Sequence, residues 1–167
     1  MKDGFLRVAA ASVDVKVADP VFNKESIMKT VKKAQERRVK VLVLPELVMS
    51  AYTCGDLFWQ KPLLEENRKQ LGELLCETAD ISMVIVAGAP LVVHQKLYNC
   101  AVFMYKGRIL GVVPKHYLPN YSEFYEARHF TPGKGEVEMI RLLGQEVPFG
   151  MNILFCCENM EIGRAHV

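Results

Sequence analysis

Residues 83–93 read MVIVAGAPLVV, an uncharged and almost wholly apolar run. A second run, VKVLVL at residues 39–44, is short, rich in β-branched residues and mostly apolar. Strands of this composition are covered on both faces, which requires other layers of structure against the sheet. No other feature limits the possible folds of the chain as strongly.

The segments around these runs supply the layers. FLRVAAAS at residues 5–12 predicts a first strand with small residues suited to close packing. A turn at Asp19-Pro20 follows, and Asn23 is the expected N-cap of a helix in which Ile27, Val31 and Ala34 recur at helical spacing. The 39–44 strand ends at Pro45-Glu46. An irregular stretch through Gly55 leads to a second predicted helix over about 62–78, with Leu64, Leu71, Leu74 and Leu75 as its inner stripe. KLYNCAVFMY and RILGVVP flank Lys106-Gly107 as a hairpin. A long aromatic loop, HYLPNYSEFYEARHF, comes next, and strands are expected at about 137–141 and 153–157. No repeat, low-complexity tract or interdomain linker interrupts the order. Strands alternate with helices first and pair directly later, as in an α/β layered domain with a mixed sheet.

Bulk properties narrow the function classes. The chain has 167 residues, half of them hydrophobic, which is enough for one domain with a sizeable core. A formal net charge of +2 gives no footprint for nucleic acid or a membrane surface. The basic run KTVKKAQERR at 29–38 reads as the wet face of a helix. No apolar stretch approaches the roughly 20 residues of a membrane helix, and the opening residues turn polar too soon for a secretory signal. The five cysteines, Cys54, Cys76, Cys100, Cys156 and Cys157, are odd in number and lack CxxC spacing. They read as reduced thiols of a cytoplasmic protein rather than a disulfide frame or zinc site. His94, His116, His129 and His166 are scattered and are expected on the surface, with no metal site implied. PGKGE at 132–136 lacks the spacing and the hydroxyl residue of a phosphate-binding loop and is a turn. Cys54 is expected to be packed rather than reactive.

Two charged residues stand directly after strands: Glu46 after VLVLP and Lys115 after LGVVP. Sites in open α/β folds gather at the carboxyl ends of strands. A carboxylate and an ammonium held together there can act as general base and oxyanion stabiliser. They could equally form a structural ion pair, or two solvated loop charges. At the far end Cys157-Glu158 closes an apolar run, a place where a hydrolase could carry a thiol nucleophile.

PELVMSAYTCGDLF at 45–58 and PKHYLPNYSEFYEARHF at 114–130 resemble the nitrilase, or carbon–nitrogen hydrolase, superfamily. More narrowly, YTCGDLF together with LPNYSEFYEARHF is similar to the glutaminase domains of glutamine-dependent NAD synthetases, as are FLRVAAASVDVKVADP and VPFGMNILF. The resemblance covers about residues 4–160. It implies an α-β-β-α sandwich with mixed sheets, incomplete at the C-terminus, and a Glu-Lys-Cys mechanism for glutamine hydrolysis. Glu46 is then the general base and Lys115 the oxyanion stabiliser. Glu126 is a supporting carboxylate that orients the lysine or the attacking water. Tyr52, Tyr121 and Phe124 match aromatic positions of the glutamine pocket. In the family the nucleophile sits in an E-I-C-E-D segment one strand further on, so Cys157 is the lesser candidate.

The resemblance also implies a division of the chain and a set of partners. Residues 1–160 are expected to be part of a glutaminase domain cut before its nucleophile. Residues 161–167, IGRAHV preceded by Glu161, are expected to be a non-native tail. The family's ammonia feeds a C-terminal synthetase domain that binds ATP and magnesium and amidates deamido-NAD. That domain and those cofactors are not expected within these 167 residues, and the intact enzyme is expected to be a homo-oligomer. Two other readings stand beside this one: a small stand-alone amidase using Cys157, and a catalytically inactive binding domain.

Overall fold

The computed structural model describes residues 5–156. Eleven elements follow in chain order: β1 (Val8–Ala10), α1 (Pro20–Glu36), β2 (Val41–Val43), a 3-10 segment (Tyr52–Trp59), α2 (Lys61–Glu77), β3 (Val84–Val93), β4 (Lys96–Tyr105), β5 (Arg108–Pro114), α3 (Glu126–His129), β6 (Glu138–Leu142) and β7 (Gln145–Phe149). The seven strands form one mixed sheet in the order β1-β2-β3-β4-β5-β7-β6. β1, β2 and β3 are parallel, and β3, β4 and β5 are successively antiparallel. β7 joins β5 in parallel, and β6 lies outside it.

Two strand-helix-strand crossovers step in one direction along the sheet, which places α1 and α2 on the same face. The pleat then divides each strand. Leu42, Ile85, Ala87, Ala89, Val102 and Met104 face the helices and join Ile27, Val31, Leu71 and Leu74 in the main core. The second face is apolar as well. At one end Leu97 packs there with Leu47, Phe58 and Phe130, and among the described residues other parts stay open, with Val8 and Val43 63% and 44% exposed. Phe155 lies on it, stacked on Phe103 with centroids 4.0 Å apart, and the turn after β2 passes over it at Gly88. The α/β class and the mixed sheet hold, and the described chain amounts to one helix layer on one sheet.

Three local expectations are corrected. Asp19, not Asn23, caps α1: its side chain accepts the Phe22 N–H at 3.0 Å. Asn23 is fully buried inside the helix, bonded to both main-chain groups of Lys16 and to the Met49 carbonyl. A buried amide side chain must find such partners, and here they tie the β1–α1 loop to the loop after β2. In α2 the inner stripe runs through Leu63 rather than Leu64, which is half-buried. The last strand is at 145–149, and residues 153–156 are not strand. Pro148 disguised it, since proline within a run argues against a paired strand. The β6–β7 turn, Leu143-Gly144, has both φ values positive. So do His94-Gln95 and Lys106-Gly107, the two-residue form that matches strand twist.

Candidate active site

Glu46 stands where β2 ends and the chain folds over the face of the sheet opposite the helices. The turn that carries it is anchored by buried Leu47, Val48 and Met49. Leu47 and Ala51 both have left-handed backbone, φ 51° and 70°, a cost that packing around the turn must offset. Gly88 of β3 makes the approach possible. A Cβ there would run into the Leu47 nitrogen and the Pro45 oxygen. Instead the Gly88 carbonyl accepts the Met49 N–H at 3.2 Å, and the Val86 carbonyl accepts that of Leu44 at 2.9 Å.

Lys115 is the first residue beyond β5. Its N–H donates to the Asn99 carbonyl on β4 and its carbonyl accepts from Gly133, both at 2.8 Å. Gly133 is also required by space, because a side chain would meet the Pro114 carbonyl at 2.6 Å. With its main chain held on both sides, Lys115 directs Nζ between two carboxylates, 2.7 Å from Glu46 Oε1 and 2.9 Å from Glu126 Oε1. Glu126 opens α3 and is 4% exposed. Its Oε1 also accepts the Tyr52 hydroxyl at 2.6 Å, while its buried Oε2 has no partner among the described residues. Asn99 Nδ2 donates to Glu46 Oε1.

Two carboxylates around one ammonium leave a local excess of negative charge. Burial works against the Lys115 ammonium, but the bonds to Glu46 and Glu126 outweigh it and hold its pKa above the ordinary lysine value. Lys115 is therefore charged at neutral pH. Burial, then the bond to Glu126, push the Tyr52 hydroxyl up, so Tyr52 remains a donor. A cleft of about 340 Å³ opens beside the cluster, walled by Glu46, Asn99 and Lys115 and by apolar Val43, Val86 and Val113. Its position matches the rule that placed the site at strand carboxyl ends.

Glu46 and Tyr52 from one stretch of the sequence thus meet Lys115 and Glu126 from another. Tyr121 and Phe124 do not line the cleft. They continue outward from Tyr52 as edge-on pairs, Tyr52–Phe124 at 6.4 Å and Phe124–Tyr121 at 5.6 Å. Cys157 lies outside the described residues. Of the buried thiols, Cys54 donates to the Ser50 carbonyl, and burial raises the pKa of both Cys54 and Cys100. A nucleophilic cysteine needs the opposite shift. His129 is not a surface histidine. It packs against Phe58 and Trp59, its Nδ1 is buried without a partner among the described residues, and burial lowers its pKa. Sequence reasoning also missed Asn99, Gly88 and Gly133. An asparagine in the middle of the apolar strand KLYNCAVFMY was the available signal, since strands disfavour that residue.

A helix layer on a mixed sheet with Glu46 and Lys115 beyond its strand ends defines an α/β protein with a charged cleft, and the family comparison narrows the class. The model of the carbon–nitrogen hydrolase family matches residues 7–162, and the chain belongs to that family. The glutamine-dependent NAD(+) synthetase of Mycobacterium tuberculosis (strain ATCC 25618 / H37Rv) is 40% identical over 157 residues, covering 94% of this chain and 23% of that protein. The enzyme of the same name from Aquifex aeolicus (strain VF5) is 33% identical over 146 residues, 87% of this chain and 25% of that protein. The chain thus spans about a quarter of the length of these curated relatives. The crystal structure of a glutamine-dependent NAD(+) synthetase from Cytophaga hutchinsonii superposes with TM-score 0.81 at 26% identity, over 87% of this chain and 25% of that one. An amidase of Nesterenkonia sp. AN1 from the nitrilase superfamily shares the fold, with TM-score 0.68 at 19% identity over 89% of this chain and 56% of that one.

Proposed function

We propose that this chain is glutaminase-domain sequence of a glutamine-dependent NAD synthetase, and that its site supplies base and oxyanion stabiliser for glutamine hydrolysis. The observation that carries the reading is Lys115 Nζ held at 2.7 and 2.9 Å between Glu46 and Glu126 on the wall of a cleft. Glu46 takes the proton of a cysteine thiol, and the thiolate attacks the side-chain amide carbon of glutamine. Lys115 stabilises the negative charge that forms on the amide oxygen. The C–N bond breaks, the nitrogen leaves as ammonia with the proton returned by Glu46, and a γ-glutamyl thioester remains. Water, deprotonated by Glu46, hydrolyses the thioester to glutamate and restores the thiol. Glu126, fixed by Tyr52, holds Lys115 in place.

Tyr121 and Phe124 would approach the bound glutamine from the aromatic loop. The ammonia would pass to a synthetase domain of the same enzyme, where ATP and magnesium would act, in a homo-oligomer. Four free thiols among the described residues are consistent with a reducing, cytoplasmic setting. No helix among the described residues is long and apolar enough to cross a membrane.

The test is ammonia release from glutamine by this chain and by the chain extended through a downstream Cys-Glu-Asp segment. Activity confined to the extended chain supports the proposal. Activity of the short chain that disappears in Cys157→Ala would replace it with the stand-alone amidase. Glutamine binding without turnover in both would leave a binding domain.

A further inference from the structure

The proposed mechanism gives no part to Asn99. It sits inside β4, 3% exposed, a polar residue in a strand otherwise made of apolar and aromatic side chains along its buried stretch. Two of its groups reach the two ends of the cluster. Its main-chain carbonyl accepts the Lys115 N–H, and its side-chain amide donates to Glu46 Oε1, the same oxygen that accepts Lys115 Nζ. Among the described residues Glu46 Oε2 receives no hydrogen bond from the protein, and Glu46 lines the cleft together with Asn99 and Lys115.

We propose that Asn99 is the positioning residue of this site, holding the Glu46 carboxylate by Oε1 against Lys115 so that Oε2 is the oxygen left to exchange a proton. The proposal rests on the reading of Glu46 as the base. Side-chain rotation in a half-exposed glutamate would otherwise interchange the two oxygens and break the contact with Lys115. An amide is suited to the task because it donates without carrying charge, whereas a cation at this place would compete with Lys115 for the carboxylate. The register contributes too. Asn99 faces Pro90 across the β3–β4 ladder, on the same side of the sheet as Gly88, over which the Glu46 turn passes.

The titratable groups facing Lys115 are Glu46 from the turn after β2 and Glu126 on α3, with Tyr52 of the 3-10 segment bonded to Glu126. Loss of the Asn99 amide therefore registers on Lys115 as a loosened Glu46. The first experiment follows the Lys115 Nζ titration by NMR in this chain, for Asn99→Ser, Asn99→Ala and Glu46→Gln, with Lys115→Arg assigning the signal. The expected result is a lower Lys115 midpoint in both Asn99 variants, in the direction and by a sizeable part of the change in Glu46→Gln. An unchanged midpoint in a variant that melts as the wild type overturns the proposal.

The second experiment measures glutamine hydrolysis in the longer enzyme. Displacing a reacting group by about 1 Å can cost about 10²-fold in rate, so Asn99→Ala should lower kcat by about that factor with KM little changed. Asn99→Asp keeps the shape but sets a carboxylate against Glu46, and should fail equally. Wild-type kcat in a folded Asn99→Asp enzyme also overturns the proposal. The two readings fail separately: near-normal hydrolysis by Glu46→Gln would defeat Glu46 as base, while the Lys115 titration would still report whether Asn99 holds it.

Discussion

Lys115 and Tyr52 are the residues whose protonation the site controls most firmly, and both are shifted upward. The folded chain keeps these protons past the pH at which the unfolded chain releases them, so their stabilisation is complete below the ordinary values of 10.0 and 10.5 and is lost as pH rises beyond. Melting temperature should fall above about pH 10. The fall should be shallower in Tyr52→Phe, and thermal scans across pH 8–11 read it directly. At neutral pH the same substitution removes a donor from buried Glu126, whose other oxygen has no partner among the described residues, and should cost about 1–3 kcal/mol in urea unfolding. A Tyr52→Phe chain as stable as the wild type would contradict the role given to that hydroxyl. Much of this cluster was legible in the sequence, because Glu46 and Lys115 each follow an apolar run and Glu126 lies in a distinctive segment. Their partners were not. Nothing in YNCA tells that Asn99 reaches a glutamate more than fifty positions earlier, since that contact depends on strand register. The family resemblance places Tyr52 among the pocket aromatics but does not tell that its hydroxyl donates to Glu126.

At the level of elements, the site depends on how closely the turn after β2 lies against β3. Gly88→Ala should force the Pro45–Leu47 backbone away, cost about 1–3 kcal/mol as overpacking does, and separate Glu46 from Lys115. Chemical denaturation gives the first effect. The second appears as a fall in the Lys115 titration midpoint. A neutral Gly88→Ala would mean that the turn has room the structure does not give it. The strands of the parallel half were readable because uncharged β-branched runs have few other uses. β7 was missed because proline breaks the expected strand signal, and because its partners β5 and β6 are known only once the sheet order is. The α1 cap was misplaced by four residues since both Asp19 and Asn23 are good capping types, and only the buried contacts of Asn23 to Lys16 and Met49 decide between them.

For the whole molecule, one face of the sheet is covered by helices and the other exposes apolar side chains such as Val8 and Val43. Apolar surface of this kind drives association. The purified 167-residue chain should therefore self-associate, and Val8→Lys with Val43→Lys should shift it toward monomer in sedimentation velocity. A wild-type chain that is monomeric at high concentration would contradict this. The burial on both faces inferred from residues 83–93 is realised on the helix side, while the described residues leave part of the other side open. Charge and composition could say only that no nucleic-acid surface was expected. The layer arrangement came from the alternation of strands and helices, and the chemistry from two motifs that the sheet brings together.

The claim that joins these scales is that Lys115, held between Glu46 and Glu126, stabilises the oxyanion of glutamine hydrolysis. It is tested most directly by the steady-state rate of ammonia release from glutamine by the longer enzyme and its Lys115→Ala variant, with folding checked by circular dichroism. Removal of an oxyanion-stabilising group costs about 10²–10³ in kcat, and a loss of at least that size is predicted. A folded Lys115→Ala enzyme that hydrolyses glutamine at a near-normal rate would contradict it.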